Sequence, residues 1–265
     1  MLEDELTSIL TDSDIKQLIV VDSAEQDSLA RKLRSQNRPF LVTSFDKAVT
    51  LTAKSRQRTG LSEHSTQRRG FLSQLLRKGS LDDLVVVVNV LKLGLHLDSR
   101  YLKKEVYRQI ERMASFSDGI FLLYGICDTL STLEQDFNGD ACRLFFLEDD
   151  KGATVDDCIA LALGGNQAYW DLLTNDKDIA LFFTPMWAAH WQDLPDDFSL
   201  LKYVRFKKIA KVDTGLLYES DFEANVNECA RRFCMRPVPL AGSTSVIRQS
   251  YNKAKSGVIE KENDP

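Results

Sequence analysis

Apolar residues along this chain fall into short runs set off by polar stretches, and the spacing inside each run separates two kinds of element. Ile15–Val21, the run FLVTSF after Pro39, Leu84–Val90, Ile120–Tyr124, Leu144–Leu147 and Ile179–Phe183 are nearly continuous and bounded by Gly, Asp, Asn or Pro, which predicts strands. Leu84–Val90, dense in valine, reads as a strand buried on both faces. Helical spacing predicts short helices at 3–10 and 71–76, one through SAEQDSLARKLRSQ capped by Asp22 or Ser23, and one from about Asp46. Leu102, Val106, Ile110 and Met113 share one helical face behind a cap at Asp98 or Ser99. Further helices are expected at 156–163, stopped by Gly164 and Gly165, from Asn166, along the stripe Phe222, Val226, Cys229, Ala230 and Phe233, and from Ser243. The stretch 200–215 is ambiguous between helix and strand, and VPL before Ala241 reads as a short extended piece.

Strands alternating with helices predict an α/β fold: a mostly parallel sheet with helices on both faces, Rossmann-like and three-layered, as a single main domain. The expected boundaries are an N-terminal extension over 1–37 that supplies helix and strand, possible members of the main sheet, and an α/β domain over 38–256. Within that domain 54–70 reads as an exposed basic loop, and 257–265 as a disordered tail.

Composition narrows the function classes. With 43% apolar and 28% charged residues the chain has ordinary soluble composition, and its net charge of -5 argues against a dedicated nucleic-acid binder. The basic segment 54–78 keeps a polyanion- or partner-binding reading open. The longest apolar-rich run, 84–97, contains Asn89, Lys92 and His96 and is too short to span a bilayer, and the acidic start lacks a secretory signal pattern. A cytoplasmic protein with reduced thiols is expected, because the five cysteines are odd in number and form no CxxC pair. Three histidines exclude a His-rich metal centre, and no P-loop, GxGxxG, GxSxG or HExxH is present.

Candidate chemistry concentrates between Asp118 and Trp187. Cys127 follows one strand run in YGICD, and Cys158 follows the next in VDDCI at the start of a helix. Thiols after successive strands point to one rim, since open α/β sheets build sites at the carboxyl ends of their strands. A helix's first turn favours a thiolate at Cys158, while Asp156 and Asp157 oppose it. Cys127, Cys158 and Asp157 are therefore the candidate catalytic groups, and Asp157 is equally a helix cap. Tyr124, Gly125, Asp128 and Trp187 are candidates for walling a pocket. Cys127, Cys158 and His96 are candidate metal ligands, short of the four that zinc usually takes, so the cofactor is unknown, a thiolate-bound metal being one option. The bland alternatives stand beside these: buried cysteines as small hydrophobes, aromatics as core, His96 as a core histidine, and Trp170 and Trp191 as packing residues.

An ordered series of short motifs carries a resemblance: Gly94-Leu95-His96, Tyr124-Gly125-Ile126-Cys127, Asp157-Cys158-Ile159, Leu163-Gly164, Thr184-Pro185-Met186-Trp187 and, more weakly, Asp213-Thr214-Gly215. From Leu84 to Trp187 the chain resembles an uncharacterised prokaryotic family, domain of unknown function 1638. Against that family's pattern, Asp128 replaces a Gly after the first Cys, Glu148–Lys151 stands where Pro-Arg is expected, and Thr43-Ser44 replaces a Cys after the first strand. The resemblance implies a link to corrinoid-dependent methyl transfer and one-carbon metabolism, with a small molecule or a corrinoid-system protein as partner. Two functions stay open: a two-cysteine thiol or metal site at the sheet's rim, or a non-catalytic binding or accessory module on the same scaffold.

Overall fold

The computed structural model describes residues 2–60, 84–92, 95, 98–125, 130, 132–137, 142–175, 180–193, 206–216 and 218–261, the side chains of 54–60 and 260–261 excepted. In chain order the elements are α1 (Glu3–Leu10), β1 (Gln17–Val21), α2 (Gln26–Ser35), β2 (Leu41–Thr43), α3 (Phe45–Gly60), β3 (Val85–Val88), α4 (Ser99–Ala114), β4 (Gly119–Phe121), α5 (Leu133–Asp136) and β5 (Arg143–Phe145). They continue as α6 (Cys158–Leu163), α7 (Asn166–Asn175), β6 (Ala180–Phe183), α8 (Pro185–His190), β7 (Lys208–Asp213), α9 (Phe222–Arg232), β8 (Arg236–Ala241) and α10 (Ser245–Lys261). This is an α/β fold in which every described strand pair is parallel. Among the described residues the strands fall into three sheets where the hydropathy pattern predicts one: β2-β1-β3, β4-β5 and β6-β7-β8. The expected helix over 71–76 and most of the basic segment lie outside the described residues, as do Cys127, Asp128 and His96.

The chain groups into two compact units. One comprises Leu10–Phe121, Thr132–Phe145 and Asn252–Pro265. Its central strand is β1, so the segment read as an N-terminal extension supplies the middle of a sheet. Leu18, Ile19, Val20 and Val21 are buried with Leu29, Ala30 and Leu33 of α2. That is why a continuous apolar run and an amphipathic helix sit together here. Asp98 caps α4 as the pattern predicts, its Oδ1 accepting from the N–H groups of Arg100 and Tyr101 at 3.1 Å each. Leu102, Val106 and Ile110 form its buried face.

Four expectations for this unit change. Neither Asp22 nor Ser23 caps α2: the N-cap is Glu25, and no side-chain cap bond forms. β3 is only half-buried from Val85 to Val87, not covered on both faces. Lys54–Gly60, read as the start of a basic loop, forms the last turns of α3, since Lys, Arg and Gln are good helix formers. Helix α10 continues through Gly257 to Lys261, where a disordered tail is expected. Packing accounts for the last difference: a Cβ on Gly257 would stand 2.7 Å from the Phe145 ring, so the bare glycine lets helix and ring meet.

The other unit comprises Met1–Ile9, Leu122–Ser131 and Phe146–Tyr251. Its sheet β6-β7-β8 packs Phe183 and Ile209 against Ala188, Trp191, Val226, Cys229, Ala230 and Met235. Pro185 at the first position of α8 and Thr184 as its N-cap explain the Thr-Pro-x-Trp turn in local terms. The piece read as a short extended VPL is a full strand, β8, in register with β7 from Lys208↔Arg236 to Asp213↔Ala241. Pro237 and Pro239 hide it from a sequence reading, because prolines are tolerated in a strand at the edge of a sheet, and among the described residues β8 occupies such an edge.

Candidate functional site

The site is built from three pieces of the second unit. The first is the turn after Leu122, where Tyr124 is half-buried and Gly125 is buried. The second is the start of α6. Asp157 is its N-cap, and its Oδ1 accepts from the N–H groups of Ile159 and Ala160 at 2.8 Å each, which places Cys158 as the first helical residue. The third is α7, whose Asn166 reaches back: its Oδ1 accepts from the N–H of Asp156 at 2.8 Å and its Nδ2 donates to the Thr154 carbonyl at 3.0 Å.

These pieces are in direct contact. A Cβ on Gly125 would stand 2.8 Å from both the Asp156 carbonyl oxygen and the Asp157 nitrogen, and closer still to the Asp157 Cα. The Tyr-Gly and Asp-Asp-Cys motifs, thirty-odd residues apart in the chain, thus meet backbone to backbone. At its far end α6 stops in a left-handed Gly164 (φ 93°), with Gly165 N–H donating to the Ala160 carbonyl at 2.8 Å. That is the glycine stop read from the sequence. The Glu148–Lys151 stretch is a hairpin turn. The Asp149 Oδ1 accepts from the N–H groups of Lys151 and Ala153 at 3.0 Å each, and an antiparallel bridge joins Glu148 to Thr154.

Tyr169 on α7 is the residue that sequence reasoning missed. Burial, then the negative charge of Asp157 and of the Cys158 sulfur, then donation of its hydroxyl to the Asp157 carboxylate push its phenol up to about 12. No spacing rule connects a tyrosine in NQAYWDLL to an aspartate twelve residues earlier; the short α6 and its glycine stop fold it back. The phenol is the acidic partner of Asp157, and the neutral form is the one that fits the fold. Since the folded value lies above the free phenol's value of about 10, its contribution to stability is complete below about pH 10 and is lost as pH rises toward 12. Ultraviolet titration of tyrosinate is expected to show one tyrosine ionising near 12, and Asp157→Asn is expected to lower that value partway, burial being the larger cause.

The other candidates divide. Trp187 is turned toward the β6-β7-β8 core, stacked on Phe183 with ring centroids 6.3 Å apart. Trp191 is a packing residue as read, buried and edge-on to Phe233. Trp170 is not: it is 53% exposed on α7. Cys142 and Cys229 are buried, Cys158 is half-buried and Cys234 is exposed, none of them in a disulfide. Burial pushes the Cys229 thiol up to about 12, the inert structural thiol expected. Among the described residues, no three His, Cys, Asp or Glu side chains are grouped to hold a metal ion.

The motif order now has an outside comparison. A family described as "Protein of unknown function (DUF1638)" matches residues 90–251. The chain belongs to that family. The match takes in the Tyr124-Gly125 turn, Asp157-Cys158, Tyr169 and the Asp213-Thr214-Gly215 element at the end of β7. No curated protein and no solved structure matches this DUF1638 chain. Among its described residues no helix is long and apolar enough to cross a membrane.

Proposed function

We propose that this DUF1638 protein is a cytoplasmic thiol-site protein whose reactive group is Cys158, assisted by Cys127, with Asp157 and Tyr169 as the hydrogen-bonded pair beside it. The observation that carries the reading is the backbone contact of Gly125 with Asp156 and Asp157. Cys127 follows Gly125 by two residues in the sequence, and the proposal takes it as the second thiol. Tyr124, beside Gly125, and Asp128, next to Cys127 in the sequence, are the pocket residues of the proposal. A soft cation held by the two thiolates is the metal form of the proposal. A small molecule, or a protein of a corrinoid-dependent methyl-transfer system, is the proposed partner, a link resting on family membership alone.

Peptide-resolved alkylation tests the thiol. Exposed Cys234 serves as the internal standard for an ordinary thiol. At neutral pH Cys158 is expected to react faster than Cys234 despite being less exposed, while Cys229 stays unmodified until the protein unfolds. Reaction of Cys158 slower than Cys234 would sink the proposal. For the metal form, anaerobic preparations of wild type and of the Cys127→Ser, Cys158→Ser double variant are compared for bound metal and visible absorbance. Metal present in wild type and absent from the variant supports it; metal-free wild type removes it.

One observation favours a second reading, a non-catalytic binding or accessory module. The Asp157 Oδ1 is committed to the α6 cap, and exposed Asp156 adds negative charge beside the sulfur, both unfavourable to a nucleophilic thiolate. A slow Cys158 with no bound metal is the result this module predicts.

A further inference from the structure

The β6-β7-β8 sheet is covered on both faces, and the two coverings differ in charge. Neighbouring residues of a strand point to opposite faces of a sheet. Phe182 packs with Tyr169, Leu172 and Leu240 on the side of α6 and α7, while Phe183 packs with Ala188, Val226 and Cys229 on the side of α8 and α9. Helices α7 and α9 therefore turn their outer surfaces away from each other within one unit.

The outer surface of α7 is apolar at its centre and acidic at its rim. Among the described residues four large apolar side chains are exposed, and two of them, Trp170 and Leu173 (44%), lie within one turn of this helix. Tyr169 and Leu172 point inward, which leaves Trp170 on the solvent side. Exposed Asp171 adjoins it, its Oδ1 accepting from the Gln167 Nε2 at 2.9 Å. Exposed Asp156 is tied to the start of the helix through Asn166, one turn before Trp170. No Lys or Arg occurs from Gly152 to Asn175.

The far end of α9 has the opposite character. Arg231 and Arg232 are exposed in its last turn, and exposed Arg236 opens β8. The Arg236 N–H donates to the Lys207 carbonyl at 3.0 Å, and Arg236 is in register with Lys208, so two further cations join this corner. Against them stands exposed Glu228, one turn back on α9, while Glu223 is paired with Lys211. The Arg232 guanidinium lies over the Trp191 and Phe233 rings, 5.5 and 5.7 Å from their centroids, a guanidinium–aromatic contact that an added indole would extend.

An exposed tryptophan with an acidic rim matches a surface rich in arginine: Trp and Arg are the side chains that anchor interfaces, and opposite charge around them sets the partner. This acidic chain, of net charge -5, carries such a surface itself. The two faces cannot meet within one copy, because they lie on opposite sides of one sheet. We propose that the outer face of α7, centred on Trp170 and Asp171, docks on the Arg231, Arg232 and Arg236 corner of a second copy of this chain. The contact is head-to-tail, so a pair still offers one face of each kind and assembly runs on to a closed ring or an open chain.

Sedimentation velocity of the full chain tests this. At about 50 mM salt and up to about 100 μM protein the wild type is expected to form species above the monomer, with about 500 mM salt weakening the association about tenfold or more. Trp170→Ala and Arg231→Glu, both at exposed positions, should each sediment as monomers while keeping the wild-type unfolding midpoint. An equimolar mixture of the two should form a one-to-one complex that grows no further, since the intact α7 face of one variant meets the intact arginine corner of the other. A wild type that stays monomeric overturns the proposal and leaves the α7 face to a different basic protein. Variants that associate like wild type, or a mixture that stays monomeric, overturn it as well. Cys158→Ser should associate as wild type does, so failure of the thiol site leaves this result standing.

Discussion

Among the described glycines, Gly125→Ala is expected to be the most damaging substitution. Its Cβ would fall within 2.8 Å of the Asp156 carbonyl oxygen and the Asp157 nitrogen, and both are backbone atoms that no rotamer change can move. Relief requires separating the turn after Leu122 from the start of α6, so overpacking here should cost about 3 kcal/mol or more. Denaturant unfolding followed by far-ultraviolet circular dichroism is the measurement. A midpoint within error of wild type would show that the two motifs do not meet as described. The comparison substitution is Gly152→Ala, where nothing lies within 4 Å of the added carbon but φ is +77°. That change pays only backbone strain, about 1 kcal/mol, so the gap between the two variants isolates the contact itself.

Phe183→Ala should be comparably costly, for a different reason. Phe183 is 1% exposed at the end of β6 and packs within the cluster that holds Ala188, Ile209 and Val226. Removing the ring deletes its stacking on Trp187 and leaves a cavity between sheet and helices, a loss of about 4 kcal/mol. Tryptophan fluorescence should shift to the red in the folded variant, because Trp187 and Trp191 both border the cluster. Phe183→Leu, which refills much of the space, should recover more than half of the loss. Equal damage from both variants would mean that the aromatic stack, not the volume, holds this corner together.

The pattern of apolar runs locates elements well and their connections poorly, for identifiable reasons. Strand cores such as Leu18–Val21 and Ala180–Phe183 are legible because continuous apolar stretches have few uses in a folded chain other than burial. The Asp98 cap and the Gly164 stop are legible because each satisfies helix-end groups within a few residues. What escapes is whatever depends on a distant partner. Ser23 reads as a cap and is not one. Gly257 reads as a helix end, yet it is the place where α10 meets the Phe145 ring. Trp170 reads as packing and faces solvent. In the candidate site, the sequence marks Asp157 and Cys158 through their type and neighbours. The partnership of Asp157 with Tyr169 arises only once α6 and α7 fold against each other.

The two prolines of β8 also bear on how this chain behaves in a crowded cell. Along a parallel strand successive N–H groups point alternately to the two sides, and the Arg236 and Gly242 nitrogens donate inward, to the Lys207 and Asp213 carbonyls. Positions 237, 239 and 241 therefore face outward, and Pro237 and Pro239 have no hydrogen to offer. An incoming strand laid along that side would find a single backbone donor, at Ala241. The same residues that disguise β8 in the sequence thus blunt it as a template for self-association and aggregation.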